Sequence, residues 1–321
     1  MGRFIIRRAL FGFLVLFVIS LAVFVLFFVV APGDPAANFV GKNPSPEQIQ
    51  QARVKYNLDK SVPQQYLLYV GRLFQGDLGY SFRNEEPVRK TLQDRLPITA
   101  SLALGAAVVW LLIGIPIGIL AATKPRSLRD RAATVFALGG LSIPTFVIGL
   151  LFLYFFFYVF RVKFGIDLFP GSGYVPLTED PLQWALHLIL PWFALALVSA
   201  ASYSRITRGS LLEVLGEDYI RTARAKGLSE RRVTYRHGLR SALTPVVTLL
   251  GIDVGTLLGG AIVTESVFGL GGIGQLAVQS VTIGDLPVIF GTVLLAAFFI
   301  VIANILVDIV YALLDSRVRL A

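Results

Sequence analysis

Six long apolar runs constrain this 321-residue chain more than any other feature. A helix that crosses a bilayer needs about 20 consecutive apolar residues. Ala9–Val30, Ile98–Thr123, Ala132–Phe160 and Leu182–Ser204 meet that length with no charged residue, the last containing His187. Ala242–Phe268 carries Asp253 and, near its end, Glu265, and Leu286–Leu314 carries Asp308 alone. Charged residues make up 15% of the chain, against about 25% in a soluble domain. The expected fold class is therefore an all-α polytopic membrane protein with six transmembrane helices. With no cysteine, disulfides, thiolate metal ligands and thiol catalysis are excluded.

Charge placement orients the spans. Arg3, Arg7 and Arg8 precede the first run, as in a signal peptide, but 22 apolar residues exceed the h-region of such a peptide and predict an uncleaved first span. Six spans put both termini on one side. If that side is the cytoplasm, it holds 18 of the 29 Lys and Arg residues, nine of them in the 205–241 loop. The short outside loops hold only Arg161 and Lys163. Basic residues favour the cytoplasmic side in short loops, so the expectation is N-in, C-in. The net charge of +9 then follows from topology and requires no nucleic acid.

The expected organisation is a first helix within 1–30, an extracytoplasmic helical segment over 31–97, a five-helix core over 98–314 and a cytoplasmic tail over 315–321. The outside segment has helix signals. In "SPEQIQQARVKYNL", Ser45 is placed as N-cap, Pro46 opens the helix and Gln48 completes a capping box. "PQQYLLYVGRLFQG" predicts a second helix stopped by Gly76, and "EPVRKTLQDRLP" a third that starts at Pro87 and runs into span two. Such a segment either binds something outside or caps the bundle. Pro116, Pro144, Pro191 and Pro245 lie in or beside spans and predict kinks.

Several chemical readings fail on context. "GLGGIG" at Gly269–Gly274 has the G-x-G-x-x-G spacing, but a dinucleotide site needs a βαβ unit around it; a glycine turn before a short outside helix fits better. Gly41-Lys42 is followed by Asn43, and no phosphate-cradling loop exists. The two histidines, His187 and His237, stand far apart, and neither a metal site nor a catalytic site is assigned. A charge at mid-span costs about 2.5–3.5 kcal/mol on insertion scales, so Asp253 and Asp308 are expected to face the bundle interior. Each is either part of a pathway or proton relay, or a structural hydrogen bond, for example towards Asn304 or Tyr311. The glycines around Asp253 (Gly251, Gly255, Gly259, Gly260) suit close packing or a pore-lining face.

The stretch "DYIRTARAKGLSERRVTYRHGLRSA", residues 218–242, holds seven basic residues against two acids. Asp218 is placed to cap a short helix over Tyr219–Lys226. Ile220, Ala223 and Gly227 give a small-residue face, with Gly227 as the stop that needs φ > 0. Ser229 is placed to cap a second helix. A helix–turn–helix with small residues and free cations suits docking of a cytoplasmic protein with acidic rims. Lipid headgroups alone would explain the charge but not the placed glycine.

These residues carry a resemblance. "SRITRGSLLEVLGEDYIRTARAKGLSERRVTYRHGLRSALTPVVTLLG" resembles the permease subunits of bacterial ABC importers of the dipeptide/oligopeptide class. So do "FIIRRAL…APGDPA", "GDLGYSFRNEEPV", "RLPITASLALG", "VFGLGGIGQL" and "LVDIVYALLDSRVR", in the family's order, over essentially the whole chain. The resemblance implies the type I ABC importer permease fold in a bacterial plasma membrane. It implies a second similar permease, two cytoplasmic ATPases and an extracytoplasmic binding protein as partners. ATP and magnesium would belong to the ATPases, with no cofactor and no catalysis on this chain. Tyr219, Arg221, Thr222, Ala223, Arg224, Ala225, Lys226 and Gly227 match the family's EAA-type coupling loop, which seats in the ATPase. Arg221 and Thr222 stand where other importers have Glu and Ala, and His237, Leu239 and Arg240 stand where a proline-containing pattern follows. Transport would proceed by alternating access. Peptides are the default substrate; relatives also carry nickel chelates, glutathione or haem. A proton-coupled carrier using Asp253 or Asp308, and an intramembrane aspartyl hydrolase, are the competing classes.

Overall fold

The computed structural model describes residues 2–30, 34, 36, 40, 45–81 and 85–314, with side chains over 6–30, 34, 36, 40, 45–81 and 85–310. The tail 315–321, most of 31–44 and the Tyr311 side chain lie outside the described residues.

The chain is helical almost throughout. Helix α1 (Gly2–Val25) continues as a wider π turn over Leu26–Val30. Beyond it come α2 (Pro46–Lys55) and α3 (Val62–Phe74). The capping box forms as expected: Gln48 N–H donates to the Ser45 hydroxyl and Ser45 N–H to the Gln48 side chain. Gly76 takes φ +75° just beyond α3. Helix α3 braces the first span rather than standing clear of it. Tyr66 hydroxyl and Ser20 hydroxyl lie 2.9 Å apart, and Phe24 packs against Tyr66 and Tyr69. Strands β1 (Tyr80–Ser81) and β2 (Glu86–Pro87) form a small antiparallel clasp. Helix α4 (Val88–Thr123) then runs unbroken from the end of the 31–97 segment into the second span and through Pro97 and Pro116.

Two expected spans are divided. Ala132–Phe160 breaks into α5 (Leu128–Ser142) and α6 (Thr145–Phe152), followed by a π turn and α7 (Phe160–Phe164). The break sits at Ile143, extended at φ −103°, ψ 123°, because a residue before proline is pushed out of the helical region. After α8 (Pro181–Leu215), α9 (Asp218–Ala225), α10 (Glu230–Arg232) and α11 (Leu239–Ala242) comes α12 (Thr244–Leu258). The fifth run therefore ends near Leu258 rather than at Phe268. Gly260, at φ +126°, turns the chain where it touches the backbone of Gly274. Helices α13 (Ile262–Val267), α14 (Ile273–Ile283) and α15 (Leu286–Leu314) complete the order. Among the described residues five helices are long and apolar enough to cross a membrane. The pair 230–242 and 244–258, bent by 47°, makes a sixth.

Small residues set the packing. A side chain at Gly114 or Gly118 of α4 would strike the backbone of α8 at Ala200 and Ser204, so these helices approach closely. Gly251 and Gly255 of α12 and Gly259 at its end repeat every four residues and press on Val307, Ala303 and Ala296 of α15. Small residues at this spacing allow close helix contact in a bilayer, where apolar burial gives little drive. The α12 glycines thus serve packing. Trp110 and Tyr203, both fully buried, fill the space between α4 and α8.

Candidate functional site

The basic stretch forms a compact hairpin at one end of the bundle. Helix α8 ends at Gly216, and Glu217, in extended conformation, occupies the N-cap of α9. Asp218 is not the cap: it sits in the first helical turn, where its charge still favours the helix N-terminus, and it accepts from Arg221 at 3.3 Å. Ser229 does take the N-cap position of α10, without a side-chain hydrogen bond.

Gly227 ends α9 at φ +78°. Its N–H donates to the Arg224 carbonyl (2.9 Å), and Leu228 N–H donates to the Ala223 carbonyl (3.3 Å). This pair of bonds is a Schellman stop. The small-residue face points inward, contrary to the expectation that it meets a partner. Ile220 and Ala223 are buried with Val233 against Val214, Leu215 and Leu228. Apolar side chains at i and i+3 fall on one face, and the apolar end of α8 was available to cover it. The exposed face of α9 carries Tyr219, Arg221, Thr222, Ala225 and Lys226.

The arginines divide into anchors and free cations. Arg224 donates to both Glu230 oxygens (2.8 and 3.3 Å) and to the Leu215 carbonyl (3.3 Å), tying α9 to α10 and α8. Tyr219 hydroxyl donates to Ser241 at 3.3 Å. Lys226, Arg231, Arg232 and Arg236 are exposed and make no hydrogen bond or ion pair among the described residues.

A second anchor lies close in sequence to this hairpin. Arg208 of α8 grips Asp130 of α5 with two bonds, Nε to Oδ1 at 2.5 Å and Nη2 to Oδ2 at 2.9 Å. Arg126 N–H adds a third at 2.8 Å. The Arg208 guanidinium and then the Arg126 N–H hold the Asp130 carboxyl down at about 2. Sequence reasoning counted these residues only as topology markers; a lone acid within "KPRSLRDR" was the available signal.

The two intramembrane acids do not come together. Asp253 on α12 accepts from the Tyr203 hydroxyl of α8 at 2.9 Å. Asp308 on α15 pairs with Arg8 of α1 at 2.9 Å. Of the two expected partners, Asn304 instead donates to the Ile300 carbonyl one turn back, and the Tyr311 side chain lies outside the described residues. Among the described residues Glu265 is the most deeply buried acid. It accepts from Thr99 hydroxyl (2.8 Å) and Gln275 N–H (2.9 Å), and Thr99 in turn accepts from Ile273 N–H. "GLGGIG" is a turn, with Gly269 at φ +58° and Gly271 at φ +76°, leading into α14. Arg95 pins it by donating to the Gly271 carbonyl at 2.5 Å.

Known proteins match this architecture. Residues 114–320 match the family described as binding-protein-dependent transport system inner membrane component, and residues 1–103 match its N-terminal counterpart. The chain is 39% identical over 322 residues to the oligopeptide transport system permease protein AppB of Bacillus subtilis, covering 99% of this chain and 100% of that one. It is 39% identical over 344 aligned residues to the dipeptide transport system permease protein DppB of Escherichia coli, covering 99% of each. The solved methionine ABC transporter MetNI, in an inward-facing conformation, shares the fold at TM-score 0.54 and 23% identity, over 70% of this chain and 96% of that one. With matches across nearly its full length, this chain belongs to the family of binding-protein-dependent transport system inner membrane components, the membrane-spanning permeases of ABC transporters.

Proposed function

We propose that this chain is a channel-forming subunit of an ATP-driven peptide importer, lying N-in and C-in, and that 218–242 is its coupling element to the ATPase. The names of AppB and DppB support peptides as the substrate class. In the complete assembly the chain pairs with a second similar permease, rests on two cytoplasmic ATPases and receives substrate from an extracytoplasmic binding protein. ATP and magnesium are held by the ATPases, and this chain performs no chemistry of its own.

One observation carries the coupling role: α9 is a short helix whose apolar face is locked to its own chain while its polar face stays open. Force applied to that open face reaches α8 through Ile220, Ala223 and the Arg224 bond to Leu215. From α8 it reaches α5 through Arg208 and Asp130. Ala223 and Arg224 are thus internal parts of the lever, while Tyr219, Arg221, Thr222, Ala225 and Lys226 offer the contact surface. Lys226, Arg231 and Arg232 suit an acidic rim. Gly227 sets the turn. Asp253 and Asp308 act as interhelix ties, through Tyr203 and Arg8 respectively.

The chain has no cysteine, so introduced ones report cleanly. Thr222→Cys and Lys226→Cys should crosslink to an ATPase subunit in the assembled complex, and Ile220→Cys should not. Crosslinking at Ile220 alone, or at none of the three, overturns the assignment.

A further inference from the structure

A cavity of about 750 Å³ opens between the first half of α4, the start of α8 and the connection that precedes α8, at the end of the bundle opposite α9. Its size falls in the range of small-ligand sites, roughly 300–1,000 Å³. The wall is apolar and aromatic: Leu104, Val108, Tyr174, Leu177 and Trp184. Asp94 is the one charged side chain among the lining residues, with Gln93 beside it. Neither makes a side-chain hydrogen bond or ion pair among the described residues. The nearby cations hydrogen-bond elsewhere, Lys90 to Glu86 at 3.1 Å and Arg95 to the Gly271 carbonyl, while Lys90, one turn back, also interacts electrostatically with Asp94.

The wall is built rather than incidental. Trp184 Nε1 donates to the Ser101 hydroxyl at 3.2 Å, and that hydroxyl lies 3.3 Å from Tyr174 hydroxyl. Trp192 Nε1 donates to the Ser101 carbonyl at 2.9 Å and its ring stands edge-on to Trp184, with centroids 5.1 Å apart. That ring occupies the space where any side chain at position 105 would lie, so Gly105 is what admits it. The aromatic surface is therefore set before anything binds.

An ionised carboxylate only accepts hydrogen bonds, and no protein cation among the described residues hydrogen-bonds Asp94, which is exposed. The complementary occupant has one ammonium group next to an apolar or aromatic group, and needs no anion partner from this pocket. We infer that the cavity receives the N-terminal residue of a peptide in transit, its α-ammonium on Asp94 and Gln93 and its side chain against Trp184, Tyr174 and Leu104. This deepens the importer reading and rests on it for the substrate class.

The test uses the full complex of both permeases and the ATPases, with Leu104→Cys as the sole cysteine of this chain. Its rate of maleimide labelling is followed against phenylalanyl-alanine and N-acetyl-phenylalanyl-alanine. The free dipeptide should slow labelling. Acetylation, or Asp94→Asn, should each raise the concentration for half-protection about tenfold, the scale of one lost charge-assisted hydrogen bond. In the Asp94→Asn complex acetylation should make no further difference. Equal protection by both dipeptides, undiminished protection in Asp94→Asn, or no protection at all overturns the site. So does a cysteine that is unreactive without peptide, which would show the cavity covered by the second permease or by lipid. ATP-driven dipeptide uptake by the same complex, with binding protein added, separates the two readings. Uptake without protection removes the site and leaves the importer; no uptake removes the importer.

Discussion

Replacing Gly227 isolates the backbone of the proposed coupling hairpin from its contacts. A side chain built at this position meets no atom within 4 Å, so any effect comes from φ +78° itself and not from a clash. For an L-residue the left-handed region costs about 1–2 kcal/mol. Asparagine tolerates it better than alanine, and a β-branched residue is the poorest fit. The expected order is therefore Gly, Asn, Ala, Val, from best to worst. A penalty of about 1–2 kcal/mol shifts a local equilibrium roughly 5–30-fold. What competes is a hairpin in which Leu228 leaves the cluster of Ile220, Ala223 and Val233, and the two Schellman bonds open. Membrane insertion is set by the apolar spans and should be unchanged across the series. Co-purification of the ATPase and ATP-driven uptake should fall in the stated order, Gly227→Asn staying close to wild type. Normal docking and uptake in Gly227→Val would refute the reasoning. Equal losses in Gly227→Asn and Gly227→Val would refute the conformational basis.

Other ties give independent tests. Asp130→Asn removes the charge from a bidentate pair and should destabilise the purified protein by about 2 kcal/mol, read by thermal unfolding. Because the Asp130 carboxyl is depressed to about 2 when folded against an ordinary value of about 3.9, its contribution is full above pH 4. The gap between wild type and Asp130→Asn should thus be constant from neutral pH down to about 4 and close as pH falls towards 2. Thr99→Val strips Glu265 of a donor and leaves Ile273 N–H without its acceptor, at a cost of about 2–3 kcal/mol; proteolysis should then reach the 269–272 turn sooner. Asp308→Asn and Arg8→Gln should each cost about 1 kcal/mol, with the double variant costing less than their sum. Uptake should survive in all three, whereas abolished transport in a well-assembled Asp308→Asn complex would point to a proton carrier.

Apolar run length was enough to find the spans, because a bilayer requires it whatever the packing. Capping chemistry placed α2, and the stop at Gly227, to the residue. The splits at Ile143 and Gly260 were harder to see. Pro144 and the Gly259–Gly260 pair were visible, but uninterrupted hydrophobicity around them reads as one span. The inward turn of Ala223 depended on which surface covers α9, and that is settled by the end of α8, outside the local pattern. Asp130–Arg208 and Asp308–Arg8 join residues 78 and 300 positions apart. No periodicity encodes such pairs. The cavity beside Asp94 likewise arises from two separated segments, 93–108 and 174–184, meeting.

The central claim is best tested by reconstituting the chain in liposomes with its partner permease, ATPases and binding protein and measuring dipeptide uptake. Uptake should require ATP and the ATPases and persist when the proton gradient is collapsed. Uptake by this chain alone, driven by a proton gradient, would contradict it.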